Sequence, residues 1–260
     1  MIINYIPYPG NKKRWINLFR ELLSDYNLKE YDLIEPFGGS GVFSLSFSSM
    51  FNRIYLNDNY IHLYKIHSSF KNGTYKELES IINEIWSYGD PKNNKKDYYK
   101  ARNTLNKKYY SENINIKEGF YNWAISTFAI HSMMRFGPNG FNQGWGKRGL
   151  NRSQPTQLMN PDKFKIINDS YKNIFLSNDD WTATLNNKIN KNVYFLDPPY
   201  FDMKNGIYDI SKGDYLRYIE KVKSIKGLIL YTDIFSEERL ELLGREWNYK
   251  ILRENIGHGK

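Results

Sequence analysis

Val193-Tyr194-Phe195-Leu196-Asp197-Pro198-Pro199-Tyr200 is the stretch that decides how this chain is read. Four apolar residues of β-branched and aromatic type predict a fully buried strand, as in parallel sheets covered on both faces. The strand must end at the two prolines, because proline lacks a backbone N–H and fixes φ. An acid just past the carboxyl end of a buried strand stands where open α/β sheets bind ligands. Taken alone, the octet also reads as a strand closed by a rigid turn, with Asp197 capping something local.

Further short apolar runs predict strands at 31–35, 53–56, 173–176, 228–231 and 249–252. Helical spacing of apolar residues covers 11–24, about 42–49, 161–171, 214–224 and 236–243. Strand and helix thus alternate at both ends of the chain, which predicts an α/β fold with a mostly parallel sheet. Between 60 and 134 the alternation stops, and helices are predicted near 60–70, 74–87, 95–110 and 117–132. The segment from Arg135 to Arg148, rich in glycine, reads as a β-hairpin whose side chains mix Arg, Asn, Gln and aromatics. Two-stranded ribbons fit the DNA major groove, where arginine to guanine is the commonest specific contact; an ordinary surface hairpin would look the same.

Pro36-Phe37-Gly38-Gly39-Ser40-Gly41 lies between a predicted strand and a predicted helix. Glycines let backbone approach a ligand closely, and the helix start offers polar N–H groups. The pattern falls short of the full dinucleotide fingerprint, so a pyrophosphate is not specifically indicated. Asp58 ends the next strand, 17 residues after Gly41, a spacing suited to accepting the two hydroxyls of a ribose. An Asx turn is the plainer alternative. Tyr8-Pro9-Gly10-Asn11-Lys12 precedes the first helix and offers an anion backbone N–H groups and an ammonium, although such a lysine can simply be solvated.

Net charge is +9, and its distribution is uneven. Residues 61–165 hold 17 Lys and Arg against 8 Asp and Glu, while the remainder is neutral. A contiguous basic region of this kind suits a phosphate-bearing polymer. With 22 Tyr, 15 Phe and 6 Trp the chain can build a substantial core. No run approaches the length of a membrane span, and Met1 to Gly10 lacks a charged-then-apolar leader pattern, so the cytoplasm of a bacterial or phage-infected cell is the expected location. The absence of cysteine removes disulfides, thiolate metal sites and a thiol nucleophile. Methylation at cytosine C5, which needs a thiolate, and zinc-dependent deamination go with it. His62, His67, His131 and His258 show no metal-ligand spacing, and no metal is expected.

Four blocks carry a resemblance: Tyr8-Pro9-Gly10-Asn11-Lys12, Glu35-Pro36-Phe37-Gly38-Gly39-Ser40-Gly41, Leu56-Asn57-Asp58 and Asp197-Pro198-Pro199-Tyr200. In this order the chain resembles the Dam-type (D12 class, alpha group) DNA adenine-N6 methyltransferases. The resemblance implies a Rossmann-like class I methyltransferase sheet, S-adenosylmethionine as cofactor, and methyl transfer to the N6 of a flipped adenine in duplex DNA, with GATC as the expected target. It divides the chain into a discontinuous catalytic domain, 1–60 with 166–260, and a target-recognition domain, 61–165. It assigns Asp197, Pro198 and Tyr200 to catalysis. Tyr8, Lys12, Phe37, Gly39, Gly41, Asp58, Asp180, Trp181 and Asp197 are assigned to the cofactor. Met133, Arg135, Asn142, Lys147 and Arg148 are assigned to DNA. No obligate protein partner is implied, and a monomer when free is expected.

The chain departs from the family pattern in places. Gly144 stands where a base-contacting proline is often found, Pro7-Tyr8 replaces a pair that can include a DNA-touching lysine, and Tyr231-Thr232-Asp233 differs from the usual strand end. The sequence is also read as stopping, at Lys260, before the family's final strand. Cytosine-N4 or RNA amino methylation, and a catalytically decayed DNA-binding homologue, are the competing readings. A nicotinamide oxidoreductase would use the glycine loop and Asp58 but leave Asp197 to Tyr200 unexplained.

Overall fold

A computed structural model describes residues 1–8, 10–111, 113–146, 159–185, 191–199, 211–233 and 236–244. The chain divides into two compact units, Met1–Leu196 with Gly227–Leu230, and Asp197–Lys226 with Tyr231–Lys260.

The first unit is built on five strands in the order β5-β2-β1-β6-β7. These are β1 (Asp32–Glu35), β2 (Ile54–Asn57), β5 (Ile174–Ser177), β6 (Asn192–Leu196) and β7 (Leu228–Tyr231), while β3 (Phe136–Gly137) and β4 (Gly140–Phe141) form a separate hairpin. The pairs β1–β2, β1–β6 and β2–β5 are parallel. Strand order reverses at β1, which pairs with β2 on one side and β6 on the other. Crossovers therefore leave in both directions at its carboxyl end, the place where such sheets open a crevice. The α/β, Rossmann-like expectation is met. The strand expected at 249–252 lies outside the described residues.

Every residue of β6 is buried, as its continuous apolar run required. Phe195 stacks on Phe43 with centroids 3.9 Å apart, and Phe19 meets both edge-on. These rings come from α1 (Ile16–Leu22), α2 (Val42–Phe47) and β6, so one aromatic trio fixes two helices against the sheet. β1 is only four residues long, yet both of its acids are buried and occupied. Asp32 takes the Arg53 guanidinium and the Asn52 amide. Glu35 accepts the Ser44 N–H at 3.1 Å as well as the Ser44 hydroxyl, which caps α2 in place of the side chain that Gly41 lacks.

The middle region forms α3 (Ile61–Asn72), α4 (Tyr75–Ser87), α5 (Lys95–Tyr109) and α6 (Ile116–Ser126), followed by α7 (Pro161–Ser170). A capping box at Thr74 and Glu77 starts α4, and Asn94, Asn115 and Asn160 cap the next three. Phe70, Phe120, Trp123 and Phe164 pack these helices into the same apolar cluster as Leu33 and Val193 of the sheet. Between α3 and α6 the buried Lys65 ammonium donates to both Glu118 oxygens at 2.9 Å and to the Ser111 carbonyl at 2.6 Å. The helix expected to run to 132 stops at Ser126, because Ala129 turns extended to bridge Trp145. A short helix, α8 (Trp181–Leu185), has no counterpart among the expected elements. In the second unit α9 (Lys212–Ser224) and α10 (Glu237–Leu243) begin at Ser211 and Ser236 caps. Among the described residues no helix is long and apolar enough to cross a membrane.

One side chain joins three strand ends. The Asn57 amide donates to the Pro36 and Asp179 carbonyls, each at 3.0 Å, and its oxygen accepts the Ser177 hydroxyl at 2.7 Å and the Asp179 N–H at 2.9 Å. Its four bonding positions are filled, at a residue that is 1% exposed. Replacing Asn57 with Ala strands several buried groups at once, and a loss of about 2–4 kcal/mol is expected in urea unfolding. A change below about 0.5 kcal/mol, the size typical of surface substitutions, would show that the loops hold without it.

Candidate active site

The chain leaves β1 through Phe37-Gly38-Gly39-Ser40-Gly41, and two of these glycines have left-handed backbone, φ +50° at Gly39 and +64° at Gly41. A Cβ on Gly39 would also approach the Tyr8 ring to 3.1 Å. Gly39 is held through both of its backbone groups. Its N–H donates to Asp58 Oδ2 at 2.7 Å, and its carbonyl accepts from the His67 imidazole at 2.9 Å. The other Asp58 oxygen takes the Tyr60 N–H at 2.8 Å. Burial pushes the Asp58 carboxyl up to about 6, more than those two hydrogen bonds lower it.

Around this loop the structure gathers several of the expected cofactor residues. Phe37 lies 6.4 Å from Trp181, ring centre to ring centre, so the loops after β1 and β5 meet through an aromatic pair. Asp180 is exposed and accepts the Thr182 N–H at 3.0 Å and the Thr182 hydroxyl at 2.5 Å. It caps its own short helix. Lys12 donates to the Gly10 carbonyl at 2.9 Å. Asp58 is tied to the loop after β5 as well, since its carbonyl accepts from the Asn178 amide at 2.7 Å.

In the second unit, Asp197 is half-buried at the first position after β6, and Pro198 is buried. Thr232 donates its hydroxyl to Asp197 Oδ1 at 2.7 Å. The neighbouring Asp233 accepts the Tyr215 and Tyr231 hydroxyls, each at 2.6 Å, and pairs with Arg239 at 2.6 Å. Burial raises both tyrosines well above their ordinary range, so these hydroxyls stay protonated as donors. Tyr200 lies outside the described residues.

The hairpin turns at Pro138 and Asn139, with Phe136 opposite Phe141 and Gly137 opposite Gly140. Asn106 of α5 reads Phe141 as a partner strand would, donating to its carbonyl at 2.8 Å and accepting its N–H at 3.2 Å. Tyr98 and Arg102 both donate to the Gln143 carbonyl, and Phe136 stacks on His62 at 3.5 Å. Arg135 and Asn142 are exposed on this fixed frame and are joined through backbone, the Asn142 N–H donating to the Arg135 carbonyl at 2.8 Å. Met133 is half-buried beside them, just after His131 and Ser132, whose φ values of 54° and 52° are unusual outside glycine. Lys147 and Arg148 lie outside the described residues.

A crevice-forming parallel sheet, a glycine loop clamped to an acid, and an Asp-Pro-Pro step are therefore present in one chain. The model of the D12 class N6 adenine-specific DNA methyltransferases matches residues 8–226. The chain belongs to that family. It is an adenine-specific DNA methyltransferase, and DNA is its substrate. A search of individual curated proteins returned no match.

For this methyltransferase, the sequence reading missed the residues that hold others in place. Asn57 stood there only as the neighbour of Asp58, and a buried polar residue at a strand end was the available signal. His67 and Thr232 carried none, since their partners are 28 and 35 positions away. A stability effect follows from Asp58. Its folded value, about 6, lies above the ordinary carboxyl value of 3.8, so the folded state binds the proton more tightly. The stabilising contribution is complete below the unfolded value and is lost as pH rises through about 6. Wild-type stability minus that of Asp58→Asn should therefore fall between about pH 4 and pH 7, measured by urea unfolding. A difference that stays flat or rises would contradict this environment for Asp58.

Proposed function

We propose that the methyl donor is S-adenosylmethionine and that the acceptor is the N6 of an adenine flipped out of duplex DNA. The carboxylate of Asp197, held on one oxygen by Thr232 and followed by two prolines, is the observation that carries the reading. The chemical problem is the adenine amine, whose lone pair is delocalised into the ring. Asp197 and the Pro198 carbonyl each accept one of its N–H bonds, which localises the lone pair and aims it. Positioning and fixed dipoles of this kind are worth several kcal/mol each. Tyr200 offers an aromatic face to the extruded base. Stacking of roughly 1–3 kcal/mol is comparable to the few kcal/mol that flipping costs.

The residues of the glycine loop fit an adenosyl group. Each Asp58 oxygen carries one backbone N–H and retains capacity for a ribose hydroxyl. A Cβ on Gly39 would press on the Tyr8 ring and one on Gly41 on the His67 ring, so this loop shape depends on both glycines. Tyr8 and Lys12 are assigned to the methionine part, Phe37 to the lining of the same pocket through the glycine loop, and Asp180 and Trp181 to the surroundings of the adenine. When bound, S-adenosylmethionine would supply a sulfonium methyl, an electrophilic carbon whose leaving group is a neutral thioether.

The basic region 61–165 is assigned to DNA. Arg135, Asn142 and Met133 would meet base edges with Lys147 and Arg148, and GATC is the proposed target. The exposed Lys95, Lys96, Lys100 and Lys107 lie on α5, the helix that holds the hairpin, and would meet phosphate.

Transfer of a labelled methyl group from S-adenosylmethionine to mixed-sequence duplex DNA tests the activity. Asp197→Ala should abolish transfer while keeping cofactor binding in part; undiminished transfer would remove Asp197 from the chemistry. Nucleoside analysis must give N6-methyladenine rather than N4-methylcytosine. Arg135→Ala should cost about 1–3 kcal/mol of discrimination at one base pair. Unchanged site preference in that variant would refute its role as a reader. Each α5 lysine that contacts phosphate should, on replacement, lower the salt dependence of binding by about one unit of slope.

A further inference from the structure

The imidazole of His67 is buried at 2% exposure on α3 and takes no part in the chemistry assigned above. Its Nε2 lies 2.9 Å from the Gly39 carbonyl and its Nδ1 lies 2.6 Å from the Tyr171 hydroxyl. That hydroxyl is in turn 2.6 Å from the hydroxyl of Tyr5. The direction of this chain follows from what each group can do. A carbonyl only accepts, so Nε2 carries the hydrogen. Burial lowers the imidazole to about 4, so the ring is neutral at physiological pH and Nδ1 accepts. Tyr171 must then donate to Nδ1, and Tyr5 must donate to Tyr171. Tyr5 is itself anchored, its carbonyl accepting from the Trp123 indole at 2.9 Å. The ring also shapes the loop sterically, because a Cβ on Gly41 would stand 2.7 Å from its Cε1.

We propose that His67 is a positioning residue for the adenosyl ligand. Its Nε2–H holds the Gly39 carbonyl while the N–H of the same residue, in the preceding peptide, meets Asp58, and Tyr171 and Tyr5 fix the tautomer that makes this possible. The proposal rests on the reading of Asp58 and the glycine loop as the cofactor site. Without the ring, the Gly39 carbonyl loses this donor, and the left-handed loop loses the contact that selects its shape.

Calorimetric titration with S-adenosylmethionine provides the test. His67→Leu should weaken binding about tenfold, the size of one well-formed hydrogen bond in a buried site. Binding of duplex DNA, followed by fluorescence anisotropy, should not change. His67→Gln can present an amide N–H toward the same carbonyl and should recover most of the affinity. In ¹⁵N-histidine-labelled wild-type protein, long-range ¹H–¹⁵N correlations should report a protonated Nε2 and a bare Nδ1, and Tyr171→Phe should loosen that preference. A protonated Nδ1 in the wild type, or wild-type affinity in a folded His67→Leu, overturns the proposal. Asp58→Ala separates the two levels. Lost affinity there with full affinity in His67→Leu sinks only the role of His67, whereas full affinity in Asp58→Ala removes the cofactor site and this proposal together. If His67→Leu does not fold, the wild-type tautomer and the affinity of His67→Gln decide.

Discussion

The structure around the candidate cofactor site depends on how the loose polar ends of a parallel sheet are closed. Parallel strands all end on the same edge, and each loop leaving that edge carries N–H and C=O groups that need partners. The Asn57 carboxamide meets this need for the loops after β1 and β5 from its place at the end of β2. Because amide donors and acceptors point in opposite directions, one planar group can brace two loops at once. Asp58 comes next in the chain and inherits that rigidity, with its own N–H on the Ser177 carbonyl at 3.3 Å. A carboxylate placed this way needs no further anchoring of its backbone, so both of its oxygens can face the glycine loop and the start of α3.

That carboxylate is held against its own solvation. Two backbone N–H groups favour the ionised form, but burial outweighs them and lifts the group to about 6. The folded protein is therefore less stable with Asp58 ionised than a well-solvated acid would make it, which is the common relation between stability and a built site. His67 is the complement at the other backbone group of Gly39. A neutral imidazole costs no buried charge, and the tyrosine pair behind it removes the ambiguity between its two nitrogens. Gly39 is thus gripped at its N–H by a group that accepts and at its carbonyl by a group that donates.

The hairpin follows the same logic with different chemistry. A two-residue-per-strand hairpin is too small to be stable alone. Asn106 supplies the missing third strand by pairing with both backbone groups of Phe141, and Tyr121 completes the amide from behind at 2.8 Å. Stacking of Phe136 on His62 ties the first strand to α3. The exposed side chains Arg135 and Asn142 are thereby set on a frame that does not have to order on binding, and each ordered side chain spared is worth about 0.5–1.5 kcal/mol of affinity.

The parts of this arrangement that sequence could reveal are those carried by local pattern. The apolar run of β6 stopped by Pro198, the glycines after β1, and the acid after β2 each constrain their own backbone, so their elements and the positions of several candidate site residues were legible. The α/β alternation followed from the same periodicities. Partners that meet only after folding were not. Helix α6 was expected to reach 132 because the apolar spacing continues, whereas Ala129 leaves the helix to bridge Trp145, sixteen positions later. Asp180 was assigned to the cofactor through the resemblance alone, and its sequence did not show that its carboxylate caps the helix that begins beside it. The same limit applies to Tyr231-Thr232-Asp233, which in sequence is merely an atypical strand end. Folding gives its residues distinct tasks, with Thr232 turned to Asp197, and Asp233 bound by Tyr215, Tyr231 and Arg239. A hydroxyl donor suffices to hold one oxygen of a carboxylate. Substitution at such a position can therefore preserve the chemistry while erasing the motif, and a departure from pattern is weak evidence of lost activity unless the replacement also lacks a donor.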